Sequence, residues 1–408
     1  MIATTTTTTT TELLIWLIAC AASFLAYPFV LRFATNHHIV DNSNIRKLQR
    51  VPVPVMGGAV VFVGMLIPVI LFNIRLNDPI MWMGCISMIV MLVVGLVDDI
   101  TDLSAVQRFI IEVVLIYGIY MIADIGIDSL HGLWNYWTIP ANISLPLSVV
   151  AGVGIINSIN LIDGVDGYSS GYCIMSSILF AVIAYYAGDV VMGRLGVICA
   201  GALFPFFLHN VFGLKSKMFI GDSGTLMLGM LMVMFVFSVL SRNSECCKLE
   251  PTGIGLVPFT LAVMSIPIFD TLRVMSVRIY RGVSPFHPDK THLHHLFIDM
   301  GFSHIGATFS ILSMNFLTVL VWFISWKRGA TVDVQLYIVV GFSLLTTFFF
   351  YHFMRLQSRR GPKDENGEPM GTWLWRCFHK LGNFSHMERK GFWRFMRDLM
   401  DGTFWSKR

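Results

Sequence analysis

Residues 157–171 read NSINLIDGVDGYSSG. Asn157, Asn160, Asp163 and Asp166 sit here among glycines, directly after one apolar run, LPLSVVAGVGII (145–156), and before another, YCIMSSILFAVIAYYAG (172–188). Runs of roughly 18 apolar residues reach across a bilayer as helices. The polar knot therefore marks a membrane surface where the chain turns back. Outward from it, about eleven such runs follow one another, at 13–35, 56–74, 79–97, 106–123, 143–160, 168–187, 190–209, 222–241, 253–274, 304–326 and 332–354. The whole chain of 408 residues is 55% hydrophobic and only 13% charged, against about 25% charged in soluble proteins. The expected fold is an all-α polytopic membrane protein of about eleven transmembrane helices.

The first run lacks a basic leader and a small-residue cleavage site, so it reads as a retained span. Residues 1–12, with threonines from Thr4 to Thr11, read as a low-complexity, unstructured N-terminus. Residues 13–354 form the expected transmembrane domain. Residues 355–408 interleave Trp, Phe and Leu with Arg and Lys, which predicts an amphipathic tail on an anionic membrane surface. Basic residues orient the bundle. Of the 29 Lys and Arg, 23 fall at the ends of odd-numbered spans, in the loops after them or in the tail, and 6 on the other side. The N-terminus is thus expected outside and the C-terminus in the cytoplasm. The seven cysteines are scattered without a CxxC pair. No nucleic-acid partner is expected, because the basic residues belong to a membrane-anchored chain without a recognition fold.

With this orientation, the polar clusters collect on the cytoplasmic side. They are VDNSNIRKLQRVPVPVMGG (40–58), GLVDDITD (95–102), the 157–171 stretch, MFIGDSGTLMLG (218–229) and SPFHPDKTHLHH (284–295). Singly, each has a bland explanation. Asp98-Asp99 reads equally well as a solvated helix end. GDSG reads as a helix N-cap. DGVDG lacks the ligand order of a calcium loop, and HLHH lacks the cysteines of a common zinc site. Together they bring Asp98, Asp99, Asp163, Asp166 and Asp222 to one mouth. A carboxylate at the bilayer centre costs about 2.5–3.5 kcal/mol on insertion scales, less near the ends. Mutual repulsion adds to that cost, and a hard divalent cation relieves it, which points to Mg²⁺ or Mn²⁺. Mg²⁺ sites commonly share the ion with substrate phosphates, so a phosphate-bearing substrate is expected. Intramembrane carboxylates also mark ion pathways, so an ion-coupled transporter is the competing class. Transporter sites, however, lie near the midplane.

The set VDD (97–99), NSINLIDGVDG (157–167), FIGDSG (219–224) and HLHH (292–295), in this order, resembles the polyprenyl-phosphate N-acetylhexosamine-1-phosphate transferases, and its WecA-like branch more than its MraY-like branch. The resemblance implies transfer of a HexNAc-1-phosphate, GlcNAc-1-phosphate first, from a UDP-sugar donor to undecaprenyl phosphate. The products are a lipid-pyrophosphoryl sugar and UMP, and the reaction starts a surface polysaccharide at a bacterial inner membrane. UDP-MurNAc-pentapeptide and a UDP-deoxy-HexNAc remain alternative donors. By resemblance, Asp222, Asn160 and Asp99 hold Mg²⁺. Asp98 and Asp99 line the lipid-phosphate side. Asp163 and Asp166 serve the nucleotide side, with Phe219 stacking on uracil and Asn210 assisting. His292, His294 and His295 meet phosphates. Arg50, Arg108 and Lys290 are weaker candidates for the same task, and Asp41 matches a loop aspartate of the WecA-like branch. The resemblance also allows a homodimer, and leaves direct displacement and a covalent aspartyl intermediate both open.

Overall fold

The computed structural model describes residues 2–41, 52–74, 78–284, 290–362, 369–384 and 392–402. Helix α1 spans Ile2–Asn36, and a two-stranded antiparallel ribbon follows, β1 (Val40–Asp41) with β2 (Val53–Pro54). Then come α2 (Gly57–Leu71), α3 (Pro79–Thr101), α4 (Ala105–Ile122), α5 (Ala141–Leu161), α6 (Tyr168–Ala187), α7 (Val190–Phe212) and α8 (Gly221–Leu240). The second half holds α9 (Leu256–Val263), α10 (Ser265–Tyr280), α11 (Leu293–Asp299) and α12 (His304–Lys327). Helices α13 (Val332–Leu344) and α14 (Phe350–Ser358) run on through a π-helical turn as one span. Helices α15 (Trp373–Phe384) and α16 (Phe392–Met400) lie in the tail. α1 continues through the threonine run, since adding residues to a nucleated helix is far easier than starting one.

Local chemistry sets the ends. Asp78 accepts the Ile80 N–H at 3.0 Å with Pro79 at the first helical position, a pairing that starts α3. Ser104 and Gln107 form a capping box at the start of α4. Asp102, in the left-handed region at φ 52°, closes α3.

α8 is the axis of the bundle. Its sequence, TLMLGMLMVMFVFSVL, is apolar on all sides, and every residue of its central window is buried, as expected of a helix without a polar face. α2, α3, α5, α6 and α9 pack around it. Gly95 on α3 allows the closest of these approaches: a Cβ there would lie 2.3 Å from the Ser223 backbone. Gly58 does the same on α2, where a Cβ would fall 2.4 Å from the Gly224 nitrogen.

Among the described residues, nine helices are long and apolar enough to cross a membrane, or ten with the bent α9–α10 pair counted as one span. Two of the eleven expected spans are not single helices of membrane length. α2 has 15 residues, about 22 Å at 1.5 Å per residue, short of a hydrocarbon core of about 30 Å. The expected span 253–274 is broken by a 72° bend between α9 and α10. Asn315 of α12 repairs the break: its Oδ1 accepts the Ile266 N–H and the Ser265 hydroxyl, both at 3.0 Å, and its Nδ2 donates to the Val263 carbonyl at 2.9 Å. Backbone groups freed inside a membrane need such protein partners.

Candidate active site

The C-terminal ends of α3, α5 and α7 and the N-terminal ends of α6, α8 and α12 meet around one cavity of about 420 Å³. Asp41, Asp98, Asp99, Asn160, Asp163, Asp166, Asn210, Phe219, Asp222 and His295, all named from sequence, line it. The close α3–α8 approach at Gly95 brings Asp99 onto the start of α8. Its Oδ1 accepts the Asp222 N–H at 2.9 Å and its Oδ2 the Ser223 N–H at 3.2 Å. Asp99 thus supplies, from another helix, the cap that α8 lacks from its own residues, and its charge faces the positive dipole end. Asp98, nearly fully buried, accepts the Leu103 N–H at 2.7 Å and Arg108 Nη1 at 2.6 Å. Arg108 also stands 3.9 Å from Asp222 Oδ2. It is the cation that bridges the two carboxylates.

The α5–α6 turn adds the opposite wall. Asn160 Nδ2 donates to Asp222 Oδ1 at 2.6 Å and to Thr225 Oγ1 at 2.9 Å. Asp163 Oδ1 accepts the Ser169 hydroxyl at 2.6 Å. Burial, reinforced by Asp222, Asp166 and Asp41, pushes the Asp163 carboxyl up to about 7. Asp166 goes the other way. Burial works against its charge, but hydrogen bonds and attraction from His304 and Lys217 outweigh it and hold the carboxyl below the ordinary range. His304 Nδ1 and Lys217 Nζ stand 2.9 and 2.7 Å from Asp166 Oδ2. Neither is singled out from sequence, because Lys217, beside Lys215 in a short loop, reads as a topology determinant and a His at a helix start reads as solvated. Asn210 is placed as a brace: its Oδ1 accepts the Gly167 N–H at 2.7 Å, and its Nδ2 donates to the Met218 carbonyl at 2.9 Å. Phe219 is held by the ribbon, its N–H bonded to the Pro54 carbonyl at 2.8 Å.

The three histidines separate. His295 faces the cavity. His294 is buried behind it, so close to Gly164 that a Cβ there would lie 2.3 Å from Nε2. His292 turns away to Asp270, with Nδ1 3.0 Å from Oδ2. Asp270 also binds Arg273 at 2.6 Å and accepts the Leu293 N–H at 3.1 Å, so this unforeseen carboxylate anchors the start of α11. Burial and neighbouring cations hold His294 well below its ordinary range and His295 down to about 4. Lys290 lines a different cavity, and Arg50 lies outside the described residues.

The donor set suits a hard divalent cation. Asp163 Oδ2 and Asn160 Oδ1 carry no hydrogen bond among the described residues, Asp222 Oδ2 stands 3.9 Å from Arg108, and all three residues face the cavity. Carboxylate and amide oxygens with no sulfur nearby are the ligands Mg²⁺ prefers. A His, Cys and Glu grouping among the described residues, His131, Cys247 and Glu250, belongs to the connections at the other end of the bundle, the last two in a 3-10 helix over Glu245–Thr252.

Residues 81–240, which hold the carboxylates of α3, the α5–α6 turn and the start of α8, match the family described as glycosyl transferase family 4. The chain is 28% identical over 312 residues to a probable undecaprenyl-phosphate N-acetylglucosaminyl 1-phosphate transferase of Bacillus subtilis, a match covering 72% of this chain and 82% of the relative. It is 26% identical over 283 residues to the undecaprenyl-phosphate alpha-N-acetylglucosaminyl 1-phosphate transferases of Yersinia pestis and Escherichia coli K12. Those matches cover 68% and 67% of this chain, and 75% and 73% of the relatives. The carboxylate-lined cavity thus lies largely within the stretch that is similar to glycosyl transferase family 4.

Proposed function

We propose that the protein transfers GlcNAc-1-phosphate from UDP-GlcNAc to undecaprenyl phosphate, at the cytoplasmic face of a bacterial inner membrane with the N-terminus outside. The observation that carries this reading is the convergence of Asp98, Asp99, Asp163 and Asp222 with Asn160 on one cavity at one end of the bundle. The names of the relatives support the donor sugar and the lipid acceptor. The tail helices α15 and α16 interleave aromatic and basic residues, which suits the anionic inner leaflet.

The chemistry joins two anions. A phosphate oxygen of the lipid attacks the phosphorus that bears the sugar. A new P–O bond forms, the bond to the bridging oxygen breaks, and UMP leaves with the electron pair. The acceptor is already anionic, so direct attack requires no covalent enzyme intermediate. The protein's contributions are alignment and charge neutralisation. Asp222, Asn160 and Asp163 would hold Mg²⁺, which when bound supplies positive charge to the diphosphate. Arg108, already bridging Asp98 and Asp222, adds a second cation near the lipid phosphate. Asp166, fixed by Lys217 and His304, presents acceptor oxygens to the uracil, and Phe219 presents a ring face. Asp99 keeps the start of α8 in register.

The test is incorporation of labelled GlcNAc from UDP-GlcNAc into undecaprenyl phosphate by the purified chain, with and without Mg²⁺. Asp222→Ala and Asp99→Ala are expected to lower turnover at least 100-fold while the protein still elutes as a folded species. Near-normal activity in either variant removes the assigned site.

A further inference from the structure

A second cavity, of about 430 Å³, opens between α10, the residues leading into α11, and α14. Its wall carries Arg273, Arg281, Lys290, Arg355 and Arg359, and no carboxylate among the described residues. Two of these five cations are fixed. Arg273 binds Asp270 and the Thr291 carbonyl, both at 2.6 Å, and its guanidinium lies 3.7 Å from the centre of the Tyr351 ring. Arg355 binds Asp299 at 2.7 Å and the Tyr351 hydroxyl at 3.2 Å. Arg281, Lys290 and Arg359 meet no carboxylate among the described residues.

Basic residues at inner helix ends ordinarily set topology and stay solvated and apart. Here they converge on one concavity, around two arginines organised on a single tyrosine ring. Like charges gathered this way repel one another unless an anion lies between them. Arginines fit phosphate oxygens bidentately, and Arg281 and Arg359, which line the wall without a carboxylate partner among the described residues, have guanidinium groups to offer one. The rim is also apolar toward the outside. Leu356 in the wall and Phe353 beside it are 44% and 48% exposed, and Ile279 on α10 is 63% exposed.

We propose that this cavity is a phosphate-binding site, separate from the carboxylate cavity. Its ligand is a phosphate ester or diphosphate anion, carried either by a glycerophospholipid headgroup or by a soluble molecule. Occupancy communicates with α11 by direct contacts, because Arg273 shares Asp270 with His292 and the Leu293 N–H. The assignment uses no catalytic role and stands or falls apart from the transfer reaction.

The experiment uses the full chain, delipidated in detergent. One arm measures retention of phosphatidylglycerol against phosphatidylcholine by native mass spectrometry. The other titrates inorganic pyrophosphate calorimetrically. Each arm compares the wild type with Arg281→Gln/Arg359→Gln, and with Lys327→Gln/Arg328→Gln at the far end of α12 as a charge-matched control. Arg281→Lys/Arg359→Lys tests rescue, and thermal unfolding checks that each variant is folded. A tenfold or greater loss of phosphatidylglycerol preference in the first pair alone assigns a lipid phosphate. The same loss confined to pyrophosphate assigns a soluble one. Equal losses in both pairs, or no effect in either arm, overturn the site.

Discussion

At the residue scale, the candidate site is a balance of carboxylates in unlike surroundings. Asp166 is kept ionised by Lys217 and His304, while Asp163 is left without a cation and is pushed up to about 7. The sign follows from linkage. With its folded value above the ordinary carboxylate value, Asp163 takes up a proton on folding, so metal-free stability falls as pH rises from about 4 to about 7. A metal ion must displace that proton. Apparent Mg²⁺ affinity, read from the metal dependence of turnover, is therefore expected to rise up to about tenfold per pH unit between pH 6 and pH 7, then flatten. Asp163→Asn should weaken metal binding and remove this dependence; a slope that persists in that variant removes Asp163 from the metal site. The carboxylates were legible in the sequence because several charged or amide residues beside glycines at the mouths of apolar runs have no structural reason to recur together. Lys217, His304 and Asp270 were not, because each is a single ionisable residue in a place where single ionisable residues are commonplace. Only the fold gives them a partner.

At the scale of elements, α3 and α8 position the site through one glycine. An alanine at 95 would place its methyl 2.3 Å from the Ser223 backbone, and the backbone cannot yield as a flexible side chain can. Gly95→Ala is expected to push the helices apart, remove the Asp99 cap from α8 and lower turnover at least tenfold. A Gly95→Ala protein with wild-type kinetics contradicts this. The break between α9 and α10 depends similarly on Asn315. Replacing it with Leu leaves the Ile266 N–H without its side-chain partner and the Val263 carbonyl with the Tyr172 hydroxyl alone, a loss of about 1–3 kcal/mol for the buried N–H. Thermal unfolding in detergent should show a midpoint several degrees lower. Apolar periodicity announced these segments as membrane helices, and Pro258 and Pro267, with no N–H to give, suggest a kink there, but not a break as sharp as 72°. What separates a kinked span from a broken one is a polar partner on another helix, 50 residues away along the chain.

At the scale of the molecule, the chain sorts its polar chemistry to two ends. The carboxylate cavity, the basic cavity and the tail share one end. The other carries links such as Asp128 with Arg242, and the Trp134 N–H donating to Asp333. The asymmetry of Lys and Arg already pointed to this division, while the docking of the tail could not be read, because one aspartate in a basic, aromatic segment carries no signal of its own. That residue, Asp401, follows α16 and accepts the backbone N–H groups of Leu214, Lys215 and Ser216 at 3.0–3.1 Å, and the Ser216 hydroxyl at 3.0 Å. Trp393 packs on Phe212 with ring centres 4.8 Å apart. The loop so clasped leads directly to Lys217, the partner of Asp166. Asp401→Ala should therefore free the amides of residues 214–216 to exchange with solvent at least tenfold faster. Because Lys217 then holds Asp166 less well, KM for the nucleotide donor should rise several-fold with kcat little changed. Unaltered exchange at those three amides would mean that the tail does not restrain the loop, whatever the kinetics show.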